Sequence, residues 1–164
     1  MKQAIFVYPG LGKTTLARQN DKFADIESKL FKDLTLKKYI GQNNYEYNTR
    51  GVPVKRINPE FPENILKYTR EKLNQGKTLL LVPKQDNYNL IESLDLQDFI
   101  FVIPSIERLN LLEYDYKKRG DDRKYIKRNI TDRYFSVIND AKNMGKEIYL
   151  LQPGEYLKDI IKKL

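Results

Sequence analysis

The chain has 164 residues, 40% of them hydrophobic and 32% charged, which suits one soluble domain with a sizeable core. It has no cysteine and no histidine, which excludes disulfides, thiolate nucleophiles, imidazole bases and metal sites built on those residues. A net charge of +8 favours anionic partners, either nucleotide phosphate or nucleic acid. No apolar run approaches the roughly 20 residues of a membrane span, and residues 1–8 lack a signal-peptide pattern. The expected location is therefore cytoplasmic, without a membrane partner.

In chain order, residues 3–8 read as a first strand and 13–20 as a helix. Residues 23–28 read as a short second strand ending in polar groups. A helix is predicted over 29–40, with Leu30, Leu34 and Ile40 on one side. Residues 41–63 hold Gly41, Gly51, Pro53, Pro59 and Pro62 and read as loop. A helix over 62–75 stops at Gly76. The apolar run 78–82 is a buried strand closed by Pro83, and 88–94 a short helix. Residues 99–103 form another buried strand, closed by Pro104. Ser105 is placed to cap a helix that ends near Gly120, and a further helix is predicted over 121–143. A last strand, 147–151, precedes Pro153-Gly154 and a terminal helix. Unbroken apolar strands alternating with helices predict an α/β domain with a five-stranded, mainly parallel sheet and helices on both faces. Ligands of such sheets bind at the carboxyl ends of the strands.

The first of those ends carries the main signal. The strand Ala4-Ile5-Phe6-Val7 runs into Tyr8-Pro9-Gly10-Leu11-Gly12-Lys13-Thr14-Thr15 and then into a helix. A strand, a glycine turn ending in Gly-Lys-Thr and a helix make a phosphate-binding loop. Gly10 and Gly12 let backbone N–H groups curl towards phosphate oxygens, and the helix start adds partial positive charge. Lys13 is placed to reach the β- and γ-phosphates of ATP, and the Thr14 hydroxyl to ligate Mg2+. The glycine expected five residues before Gly12 is Val7, so the motif is a relaxed form.

Asp25 and Glu27, two residues apart on an extended segment, share one face, and one of them is a candidate to bind a sugar hydroxyl or order the water shell of Mg2+. Ser28 follows as a third candidate. Arg50 and Arg56 lie in the irregular stretch and are candidates to hold a phosphate, which a guanidinium suits better than an ammonium does. Tyr39, Tyr45, Tyr47 and Tyr88 are candidates to stack a base.

With these residues in hand, the chain resembles the P-loop nucleoside monophosphate kinases, the adenylate and guanylate kinases, and most of all small kinase-like proteins encoded by phages. Pro9-Gly10-Leu11-Gly12-Lys13-Thr14 is similar to the adenylate kinase phosphate loop. Asp25-Ile26-Glu27-Ser28 sits where these kinases place acceptor-binding or magnesium-shell carboxylates. Phe101-Val102-Ile103-Pro104-Ser105 is similar to the fourth strand of guanylate kinase. Lys118-Arg119-Gly120-Asp121-Asp122 resembles the start of the lid.

The resemblance implies a three-layer P-loop NTPase fold over 1–164, with 41–63 covering the acceptor and about 117–133 as lid. It implies ATP as donor, Mg2+ as cofactor through Thr14 and Asp25, and Arg119, Arg123 and Arg128 as stabilisers of phosphoryl charge. The expected activity is transfer of the ATP γ-phosphoryl group to a ribo- or deoxyribonucleoside monophosphate. One alternative is a nucleoside or polynucleotide 5′-hydroxyl kinase, with Asp25 or Glu27 as base. Another is a P-loop protein that binds nucleotide or nucleic acid without turnover. The strand closed by Val82-Pro83-Lys84 ends without the aspartate common in this class.

Overall fold

The computed structural model describes residues 2–33, 49–50 and 57–163. In it, β1 (Ala4–Val7), β2 (Phe23–Ile26), β3 (Thr78–Leu81), β4 (Phe99–Pro104) and β5 (Ile148–Leu151) form one sheet. Its order is β2-β3-β1-β4-β5, and every neighbouring pair is parallel. All four residues of β1 and all four of β3 are buried. Successive strand side chains point to opposite faces, so both faces of the sheet centre are covered. That is the α/β architecture expected from the apolar runs, and it is consistent with a P-loop NTPase-like layering.

The surrounding helices are α1 (Lys13–Gln19), α2 (Ser28–Lys32), α3 (Glu63–Asn74), α4 (Gln85–Ser93), α5 (Ile106–Lys118), α6 (Arg123–Lys127), α7 (Arg133–Asn143) and α8 (Leu157–Ile160). Ser105 caps α5 as expected, its Oγ accepting from the Arg108 N–H at 3.2 Å. No described helix is long and apolar enough to cross a membrane.

Three helix expectations are corrected. The helix predicted over 29–40 starts at Ser28 and ends at Lys32. Its end is set by a bridge between Asp33 and Ile57, where the Asn58 N–H donates to the Lys32 carbonyl at 2.8 Å. Residues 34–40 lie outside the described residues. The helix predicted over 88–94 begins at Gln85, directly after extended Lys84. The continuous helix predicted over 121–143 is interrupted by a π-helical turn, Arg128–Asp132. Buried Asn129 holds that turn: its Nδ2 donates to the Tyr125 carbonyl at 2.9 Å, and its Oδ1 accepts from Arg133 at 2.7 Å.

The parallel strands all end on one side. The chain leaves β1 towards β2 and leaves β4 towards β5, so connections diverge between the neighbours β1 and β4. A crevice forms at such a divergence, beyond the carboxyl ends of the strands.

Candidate functional site

The glycine loop occupies that crevice. The Tyr8 N–H still donates to Val102 at 2.9 Å, so the loop leaves the sheet only at Pro9. Gly10 and Gly12 have φ of 88° and 92°, a region costly for any residue with a Cβ. At Gly10 space is the stricter demand, since a Cβ there would stand 2.8 Å from both Leu112 Cδ1 and Tyr116 Cε1. At Gly12 a Cβ would meet nothing within 4 Å. Gly12 precedes α1, whose first turn has no side-chain cap.

A cavity of about 670 Å3 opens over this loop, lined by Gly10, Gly12, Lys13, Thr14 and Thr15 together with Glu27, Val82, Arg119 and Tyr125. That volume lies within the roughly 300–1,000 Å3 of small-molecule sites. Asp25, at the third position of β2, is half-buried and accepts from two loop side chains at once. Lys13 Nζ donates to its Oδ1, and Thr14 Oγ1 donates to its Oδ2 at 2.7 Å. Of the three groups most expected to handle a metal-bound phosphate, Lys13 and Thr14 therefore both meet Asp25.

Among the described residues no group of three or more carboxylates gathers to hold a metal. Mg2+ does not require one, because it keeps several waters and takes one or two carboxylates plus substrate phosphates. A carboxylate and a hydroxyl 2.7 Å apart are hard oxygen donors of the kind it accepts. The residues present fit the ion.

The other candidates separate. Pro9 lines the cavity, whereas Leu11 is fully buried and its carbonyl accepts from the Leu157 N–H at 3.3 Å. Glu27 is exposed at the cavity wall. Ser28 is fully buried in α2, its hydroxyl without a partner, and does not line the cavity. Arg50 is an exposed turn residue, while Arg56, Tyr39, Tyr45 and Tyr47 lie outside the described residues. Tyr88 belongs to the core rather than to a base pocket. Its ring meets Phe6 edge-on at 5.2 Å, and its hydroxyl donates to Asp140 at 2.9 Å.

Of the three lid arginines, Arg119 alone lines the cavity. Its guanidinium lies 5.0 Å from the centre of the Tyr116 ring and donates to Asp121 through Nε and Nη2, at 3.0 and 2.5 Å. Arg123 and Arg128 are exposed, and the Arg128 guanidinium sits 5.5 Å over the Tyr125 ring.

Several contributors escaped the sequence reading. Tyr116, fully buried on α5, donates its hydroxyl to the Pro9 carbonyl at 2.5 Å. Tyr8 donates to the Asn129 carbonyl in the π-helical turn. These two phenols tie the glycine loop to the segment carrying Arg119. Burial pushes both well above the usual tyrosine range, so they stay protonated donors. Tyr116→Phe is expected to cost about 1 kcal/mol, a fall in melting temperature of about 3 °C; an unchanged melt would mean that the tie adds nothing.

Tyr156, Leu157 and Lys158, shortly after Pro153-Gly154, also line the cavity. Behind Tyr156, buried Arg108 holds its guanidinium 5.4 Å from the ring centre. Lys84, two residues beyond cavity-lining Val82, does not itself line the cavity; it is partly buried and pushed below the usual lysine range by burial, against the pull of Asp86 and Glu27. The only sequence signal for it was its place after the apolar run and Pro83.

Comparison with protein-family models finds no match to this chain, and a search of the curated proteins finds no similar sequence.

Proposed function

We propose that the protein is an ATP- and Mg2+-dependent kinase that phosphorylates a nucleoside monophosphate. The observation that carries the reading is that Lys13 and Thr14, which line a nucleotide-sized cavity, both donate to Asp25 behind them.

Lys13 would hold the β- and γ-phosphates of the donor, leaving its Asp25 partner to do so. Thr14 and Asp25 would hold Mg2+, which when bound neutralises phosphate charge and orients the γ-phosphoryl group. Arg119 stands at the cavity wall, able to meet charge that builds on the equatorial oxygens. The phosphate oxygen of the anionic acceptor is already ionised near neutral pH. That oxygen attacks the γ-phosphorus, and the bond to the β–γ bridging oxygen breaks with ADP leaving. No general base is needed, which suits a chain without histidine.

The reading is tested by ADP release from Mg-ATP across ribo- and deoxynucleoside monophosphates, nucleosides and a 5′-hydroxyl oligonucleotide. Release stimulated by monophosphates supports it. Stimulation by a hydroxyl acceptor alone would move the assignment to that acceptor, and ATP binding without any release would mean a non-catalytic nucleotide protein. Arg119→Ala is expected to lower kcat by roughly 10³-fold, with a much smaller change in the KM for ATP. Equal changes in both would make Arg119 a binding group only.

A further inference from the structure

Residues 117–128 carry seven Lys and Arg side chains against two Asp, a net of +5 in twelve residues of a chain whose total is +8. All seven basic side chains are exposed. Three nearby acids are already engaged, while exposed Asp132 lies four residues after Arg128. Glu113 pairs with Lys117 at 2.7 Å, Asp121 with Arg119 at 2.5 Å, and Asp122 accepts from the Tyr125 N–H at 2.7 Å. No described carboxylate pairs with Lys118, Arg123, Lys124, Lys127 or Arg128.

On α6 and the turn after it, Arg123 and Lys127, like Lys124 and Arg128, are four residues apart and share one face. Ile126 is buried on the other. Like charges at this spacing repel, a cost that a polyanion would reverse. The face also adjoins a place for a base, since Tyr125 lines the cavity and carries the Arg128 guanidinium over its ring.

We propose that this outer face of segment 117–128 binds the phosphate backbone of single-stranded nucleic acid. A single strand fits better than a duplex because an aromatic ring and a one-nucleotide cavity reward an unpaired base. A lipid surface fits less well, because no large hydrophobic side chain is exposed within the segment. The inference goes beyond phosphoryl transfer and is measured without ATP.

The test is fluorescence anisotropy of a labelled oligo(dT) of about twenty nucleotides with the full chain at a series of salt concentrations. With four or five phosphates engaged, the log–log salt slope is expected near −3, roughly 60-fold weaker binding from 50 to 200 mM. Lys124→Glu/Lys127→Glu should weaken binding by about tenfold or more. Lys67→Glu/Arg70→Glu, the same charge change at exposed positions of α3, should change it less than about threefold. Thermal melts check that both variants fold, and Lys124→Gln/Lys127→Gln replaces the first if it does not. Absence of binding at the lowest salt, equal weakening by both charge reversals, or tighter binding of duplex would overturn the proposal. So would Lys124- and Lys127-dependent binding to anionic vesicles without binding to oligo(dT).

Discussion

Lys13→Ala is expected to reduce ADP release from Mg-ATP by roughly 10²–10³-fold while leaving the melting temperature nearly unchanged. The two halves of this expectation have separate causes. In the folded protein the Lys13 side chain contacts Asp25, which also holds Thr14. Removing the ammonium therefore leaves Asp25 with a partner and with access to water, not as an orphaned buried charge. In the nucleotide complex the same ammonium would face the β- and γ-phosphates inside a walled cavity, where a charge-assisted hydrogen bond counts for far more than in water. Steady-state ADP release and a thermal melt on one protein sample read both halves. Wild-type rates in the variant would remove Lys13 from the chemistry, and a large fall in melting temperature would make its pairing with Asp25 structural.

Gly10→Ala is expected to be the most destabilising single-methyl change in the loop. Its Cβ would press on Leu112 and Tyr116 at 2.8 Å, and both side chains are fully buried. Overpacking of that kind costs about 1–3 kcal/mol, and the positive φ adds about 1–2 kcal/mol. A total on the order of 3 kcal/mol corresponds to a melting temperature lower by roughly 10 °C. Gly12→Ala meets the same backbone strain with open space around it, so about 1 kcal/mol and roughly 3 °C are expected. Paired melts separate the two terms. Equal shifts at both positions would mean that crowding against α5 contributes nothing.

How far the molecule could be read from its sequence follows from where each signal lies. The runs ending at Val7, Leu81 and Pro104 are buried on both sides, and an unbroken apolar run reports such burial directly. The glycine loop is local, so its residue types and spacing located the floor of the cavity. What escaped depends on contacts between distant segments. Helical spacing marks Tyr116 only as one more apolar position, whereas its hydroxyl bonds Pro9 across the fold. Tyr156 and Arg119 reach one cavity from elements that follow different strands. The π-helical turn at Arg128–Asp132 is held by side-chain bonds of buried Asn129 to Tyr125 and Arg133, which no residue pattern announces. Ser28 shows the opposite limit: adjacency to Asp25 and Glu27 makes it a candidate, and the first turn of α2 buries it away from the cavity lining.

The most direct test of the central claim is calorimetric titration of the full chain with ATP, with Mg2+ present and after its removal by chelation. The expected result is saturable one-site binding that weakens without Mg2+ and disappears in Lys13→Ala. Binding indifferent to both Mg2+ and Lys13, or no binding at millimolar ATP while the protein remains folded, would contradict the assignment of Lys13, Thr14 and Asp25 as a metal–nucleotide site.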